Sequence, residues 1–118
     1  MKRDICTLNE LYKPLMDKPS VKLDRCAVCG RNRPLNEHHV VFRSAGTWVE
    51  NGREKKKPTI TLCGFGNNAK DASGRLYCHG LAHARMLHFR NTDGWEYLLT
   101  DEPTRYQDAL EMEGWRQL

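Results

Sequence analysis

The chain has 118 residues, room for one domain whose core is small enough to gain from an added staple. Apolar residues make up 39% and charged residues 29%, and no run approaches the roughly 18 apolar residues of a membrane span, so a soluble protein is expected. The net charge of +4 is unevenly spread: residues 1–90 carry 17 Lys and Arg against 8 Asp and Glu, residues 91–118 carry 2 against 7, and a body at +9 with a tail at −5 suits a polyanion binder without requiring one.

The N-terminal MKRDICTLNELYKPL has no continuous apolar segment and no small-residue cleavage site, so it does not read as a secretory signal, and a cytoplasmic location is expected. Leu8, Leu11, Leu15 and Met16 are spaced as on a helix that Pro14 interrupts, which predicts a short helix or arm within residues 1–22. Cys26-Ala-Val-Cys29-Gly30 has the outline of a zinc knuckle, its glycine permitting the tight turn that aims two sulfurs at one point. Residues 37–43, EHHVVFR, suit a strand. The polar connection that follows contains the turn pair Asn51-Gly52 and the basic run Lys55, Lys56 and Lys57, which reads equally as a solvated loop or as phosphate contacts.

Thr59 to Leu62 alternates as a strand and delivers Cys63; GFGNNAKDASGR then reads as a loop. From His79 to about Phe89 the apolar positions Leu81, Ala82, Met86, Leu87 and Phe89 predict a helix. In the acidic tail, residues 91–118, a second helix is expected after Pro103, and Trp95, Tyr97 and Tyr106 read as packing residues. Together these elements predict a single α+β domain.

Five cysteines in a chain without an export signal are expected to stay reduced, which favours metal binding for those that cluster. Cys6 stands apart and receives no role. Cys26 and Cys29 supply half of a tetrahedral thiolate site, and Cys63 and Cys78 the other half, across an insertion whose closure costs little because loop entropy grows only logarithmically with length. The competing reading is four unrelated buried thiols. His79 and His83 lie one turn apart on a helix face and can share an ion. His38 and His39 would point to opposite faces of a strand, so one can ligate while the other does something different. His88, about half a turn around the predicted helix from His79, reads as a surface or core residue.

CAVCG, EHHVVFRSAG, TITLCGFGN and CHGLAH, in that order over residues 23–90, resemble the HNH endonuclease family of phage or prophage type. The resemblance implies a small ββα-metal, treble-clef-like core stapled by zinc, with additional N- and C-terminal helices. It makes Cys26, Cys29, Cys63 and Cys78 the structural zinc ligands, His38, His79 and His83 the ligands of a catalytic ion, and His39 the general base. Family members commonly carry a central Asn five residues before the first cysteine of the second knuckle, where this chain has Pro58. Asn67 and Asn51 are the substitutes, Asn67 preferred for lying nearer the site in sequence; failing both, a backbone carbonyl or another side chain orients His39.

The implied reaction is hydrolysis of DNA to 5′-phosphate and 3′-hydroxyl ends, an imidazole taking the proton from water while a divalent ion neutralises charge on phosphate and leaving oxygen. Zn²⁺, Ni²⁺, Mn²⁺ and Mg²⁺ all remain open for that ion. Phosphate contacts are expected from Arg31, Arg33, Arg43, Arg53, Lys55, Lys56, Lys57, Arg85 and Arg90, with little base readout. The alternatives are a zinc-stabilised nucleic-acid-binding module without catalysis, which leaves the four histidines unexplained, and an adaptor whose acidic tail docks a protein partner. Phage packaging and restriction systems are the settings the resemblance suggests for such a partner, and the sequence does not choose between them.

Overall fold

A computed structural model describes residues 4–66 and 68–118. Near the N-terminus, β1 (Ile5–Cys6) pairs with β3 (Trp48–Glu50), which turns back into β4 (Arg53–Glu54). The turn is the expected Asn51-Gly52, with φ of 55° and 75° at the two residues. Such left-handed pairs match the twist of the flanking strands, and Asn followed by Gly is the combination that tolerates them.

The centre is an antiparallel pair, β2 (Leu35–His39) and β5 (Thr59–Cys63), in register from Leu35 opposite Cys63 to His39 opposite Thr59. Every residue of β5 is buried. Its far edge is sealed by irregular chain: the Val21 amide donates to the Thr59 carbonyl at 2.8 Å, the Thr61 amide to Val21 at 3.0 Å, and the Ala27 amide to Thr61 at 2.9 Å. A strand covered on both faces and both edges has no solvated side, which is why its residues are short, branched or apolar throughout.

The helix expected from His79 to Phe89 is shorter: α1 spans Cys78–His83. It ends in a Schellman motif, with the Arg85 amide donating to Ala82, the Met86 amide to Leu81 at 2.9 Å, and Arg85 itself left-handed at φ 62°. Leu87 and Phe89 then belong to a strand, β6 (Leu87–Asn91), and so does His88, whose helical position relative to His79 is therefore void.

The helical tail is also corrected. β6 pairs with β7 (Trp95–Leu99), and β7 with β8 (Arg116–Gln117), so β6 runs through residue 90 into the tail. The helix expected after Pro103 reduces to one turn, α2 (Tyr106–Ala109). At the other end, the N-terminal helix is a single 3-10 turn, Lys13–Leu15, with Pro14 in its first turn where a missing amide costs nothing. A second 3-10 turn, Arg43–Ala45, replaces the end of the strand expected over 37–43.

These pieces share one apolar core, to which Leu15 and Met16 contribute from the arm, Val41, Ile60 and Leu62 from the centre, and Phe89 and Trp95 from the last sheet. Two hydrogen bonds fasten the tail, from Trp95 Nε1 to the Pro19 carbonyl and from the Tyr106 hydroxyl to the Phe89 carbonyl, each 2.7 Å. The chain is thus a small mixed domain of antiparallel sheets with short helices. No helix among the described residues is long and apolar enough to cross a membrane.

Candidate metal centres and cleft

The first knuckle is held by its own backbone: the Gly30 amide donates to the Cys26 carbonyl at 3.0 Å and the Cys26 amide to Arg31 at 2.8 Å, with Gly30 left-handed at φ 78°. Cys63 arrives at the end of β5, and Cys78 opens α1, its amide donating to Cys63 Sγ at 3.3 Å. The four sulfurs lie within 4.8 Å of one another. Cys29 Sγ and Cys63 Sγ are 3.6 Å apart, close to the edge of about 3.8 Å that a tetrahedron with bonds of roughly 2.3 Å requires.

Sharing the Cys78 thiol proton holds Cys26 down at about 4 and pushes Cys78 well up, while burial lifts Cys63 to about 11. Sulfurs this crowded do not ionise together unless a cation compensates them. The donor set, the spacing and the electrostatics all fit a metal ion such as zinc.

His79 and His83 project from the same face of α1 toward His38 on β2. Ring centroids are 4.6 Å apart for His79 and His83, 5.3 Å for His38 and His79, and 5.6 Å for His38 and His83, and one nitrogen of each lies within 4.8 Å of the others. His79 Nδ1 donates to the Gly66 carbonyl at 2.6 Å, which leaves Nε2 as the ring nitrogen available to a metal. Burial, reinforced by the neighbouring imidazoles, holds His38 at about 3, and burial followed by His79 lowers His83 as well. His38 and His83 are thereby held toward the neutral, lone-pair form that metal ligation requires.

His39 sits beyond the trio on the same strand. His38 is 3% exposed, whereas His39 faces solvent, as alternation along β2 demands. The two nevertheless border one cleft of 560 Å³, with His79, His83, Arg43 and Lys57 around it. Lys57 Nζ donates to the Phe42 carbonyl at 3.1 Å, and burial lowers its pKa. A half-desolvated ammonium fixed at the wall of a cleft is a ready partner for a phosphate oxygen.

The other expected phosphate contacts divide. Lys56 lines the adjoining depression beside His39, and Arg53 is exposed on β4. Lys55 is engaged by Asp17 at 3.1 Å and Glu50 at 3.8 Å and lies over the Trp48 ring. Arg31 pairs with Asp71 at 3.0 Å, and Arg90 pairs with Glu96 at 3.2 Å beneath Trp115. Arg33 is exposed, and Arg85 borders a different cavity. Asn51 sits in the turn between β3 and β4, its backbone amide donating to Asp4 Oδ1 at 2.6 Å, and it is not among the residues lining the cleft. Asn67 lies outside the described residues.

Two supports escaped the sequence reading. The Gly66 carbonyl that orients His79 is a backbone group and leaves no mark in residue type. Gly64 has φ 130°, and a Cβ there would lie 2.9 Å from the Cβ atoms of both His79 and Tyr77, which cannot swing aside. Gly64→Ala is accordingly expected to cost about 1–3 kcal/mol, read as a fall in the denaturant midpoint; an unchanged midpoint would mean that β5 and α1 separate freely. No family model, curated protein or solved structure matches the chain.

Proposed function

We propose that the chain is a metal-dependent endonuclease of the HNH type, with β2, β5 and α1 as its ββα-metal unit, and that it hydrolyses DNA phosphodiester bonds. The observation that carries the reading is the convergence of His38, His79 and His83 at one wall of the cleft that His39, Arg43 and Lys57 also border. A structural fold needs no three imidazoles around one point, and a simple nucleic-acid-binding surface needs no fourth beside them. The cysteine cluster serves as a structural zinc site that fixes the start of α1 against the end of β5.

In this reading His38, His79 and His83 hold a divalent ion, which when bound supplies compensation for charge developing on the phosphate and on the leaving oxygen. Arg43 and Lys57 seat the phosphate, and His39 at the cleft rim takes the proton from the attacking water. The chain ends that result are 5′-phosphate and 3′-hydroxyl. A cytoplasmic setting and a protein partner for the acidic tail belong to the same proposal.

Nicking of supercoiled plasmid by the purified chain, abolished by chelation and restored by Mg²⁺, Mn²⁺, Ni²⁺ or Zn²⁺, is the direct test. Retention of bound metal and DNA affinity without nicking under any of these ions would turn the reading to a non-catalytic binding module. Lys57→Met is expected to lower the slope of log affinity against log salt by about 0.9 for duplex DNA, as loss of one phosphate contact does. Binding titrations over a range of salt measure it, and an unchanged slope removes Lys57 from the phosphate contacts.

A further inference from the structure

Beside His38 lies a second cavity of 220 Å³, the space of about seven waters. His38 and Phe42 are common to both, so the two hollows share a wall. Nothing in the proposed hydrolysis uses this one.

Its polar groups come from four separate stretches of chain. Tyr12 and Tyr106 lie ring against ring, centroids 4.7 Å apart and planes 12° from parallel. Arg85 and Arg105 border the same space. Arg105 has a carboxylate partner in Asp108 at 3.2 Å, while Arg85 has none among the described residues. Arg85 also occupies the left-handed position that closes α1, where glycine is the cheaper residue. An arginine kept at a site its backbone disfavours points to work done by its side chain.

His88 supplies the most specific feature. It is 6% exposed and lines the cavity, and its Nε2 lies 2.9 Å from the Arg85 carbonyl. A carbonyl only accepts, so Nε2 carries the proton and Nδ1 of the neutral ring is an acceptor. Nδ1 makes no hydrogen bond among the described residues, yet no fully buried side-chain nitrogen or oxygen there lacks a partner. Nδ1 is therefore not fully buried, and the cavity that His88 lines offers a donor a way to reach it.

The occupant must be a planar body that extends the tyrosine stack, present an N–H to His88, and carry an anion to Arg85 and Arg105. We infer that this cavity binds one nucleotide unit, its base edge on His88 Nδ1 and its phosphate on the two arginines, either as a free nucleoside monophosphate or as a nucleotide splayed from a single strand. Stacking on aromatic rings with arginine at the phosphate is the usual chemistry of single-strand recognition, and one heterocycle fills a space of this size. The inference stands apart from the hydrolysis proposal, since it concerns binding at a separate cavity and is read without cleavage.

Amide NMR of the metal-loaded full chain, titrated in turn with deoxyadenosine 5′-monophosphate, a short single-stranded oligonucleotide and inorganic phosphate, tests it. The monophosphate is expected to shift Tyr12, Arg85, His88 and Tyr106 saturably, with inorganic phosphate at least about tenfold weaker, since it offers nothing to the stack or to His88. Tighter binding of the oligonucleotide identifies a strand as the source, and binding of the monophosphate alone identifies the free nucleotide. Arg85→Gly removes the cation while relieving the left-handed backbone, so it should melt at or above the parental temperature and bind the monophosphate about tenfold more weakly. Equal affinity for inorganic phosphate and monophosphate, or undiminished binding by Arg85→Gly, overturns the inference.

Discussion

Cys63→Ser is expected to leave the chain without a cooperative fold under conditions where the parent is fully folded. Cys63 is 1% exposed, ends the buried strand β5, and receives the amide that starts α1. Removing its sulfur breaks a four-thiolate set whose metal contributes on the order of 10 kcal/mol to folding in small zinc domains. That is comparable to the whole net stability of a typical domain, about 5–15 kcal/mol, and a serine oxygen in the same place is a poor substitute for a thiolate. Cys6→Ser, at an exposed position on β1, serves as the matched control and should change nothing. Thermal melts with elemental analysis read both; a chain with all four clustered cysteines replaced that still melted cooperatively at the parental temperature would eliminate the site.

The second large effect is expected at His39. His39→Ala should keep the fold, both metals and DNA affinity, and lose cleavage by roughly 10²–10⁴-fold, the usual contribution of a general base. His38→Ala should lose the ion held by the histidine trio as well as the rate, while the cysteine-bound metal stays, because the two ligand sets share no residue. The reasoning rests on the opposite exposure of two adjacent imidazoles on one strand. Calorimetric metal titration beside a nicking assay discriminates: metal lost in His39→Ala but kept in His38→Ala reverses the roles, and full activity in both ends the nuclease proposal.

The cysteine set and the His79/His83 pair were legible in residue type and spacing, and both come together. That His38 rather than His39 joins the helix pair came from the family resemblance, because alternation along the strand leaves open which of the two faces it. The reach of α1 was not legible. Its apolar positions continue with helical spacing to Phe89, and the residue that stops it is Arg85, where the usual stop signal would be a glycine. Once Leu87 and Phe89 were assigned to a helix, the Asp93-Gly94 turn between two alternating runs lost its meaning, although it is an ordinary hairpin signal and joins β6 to β7. The division of the basic residues was equally invisible, since whether Lys55 or Lys57 is free depends on Asp17, Glu50 and Trp48 arriving from elsewhere.

Cys78 and His79 are joined by a single peptide bond yet belong to different ligand clusters. If both clusters take metal as proposed, the cysteine site is expected to assemble first, because the thiolates that fasten the start of α1 also aim His79 and His83 at His38. Metal supplied in limiting amounts should pass to the cysteines first and yield molecules that are folded and inert, with activity emerging only after that population is complete. A plot of activity against added metal would then begin with a lag, and the length of the lag would count the sites filled before the histidines take their turn.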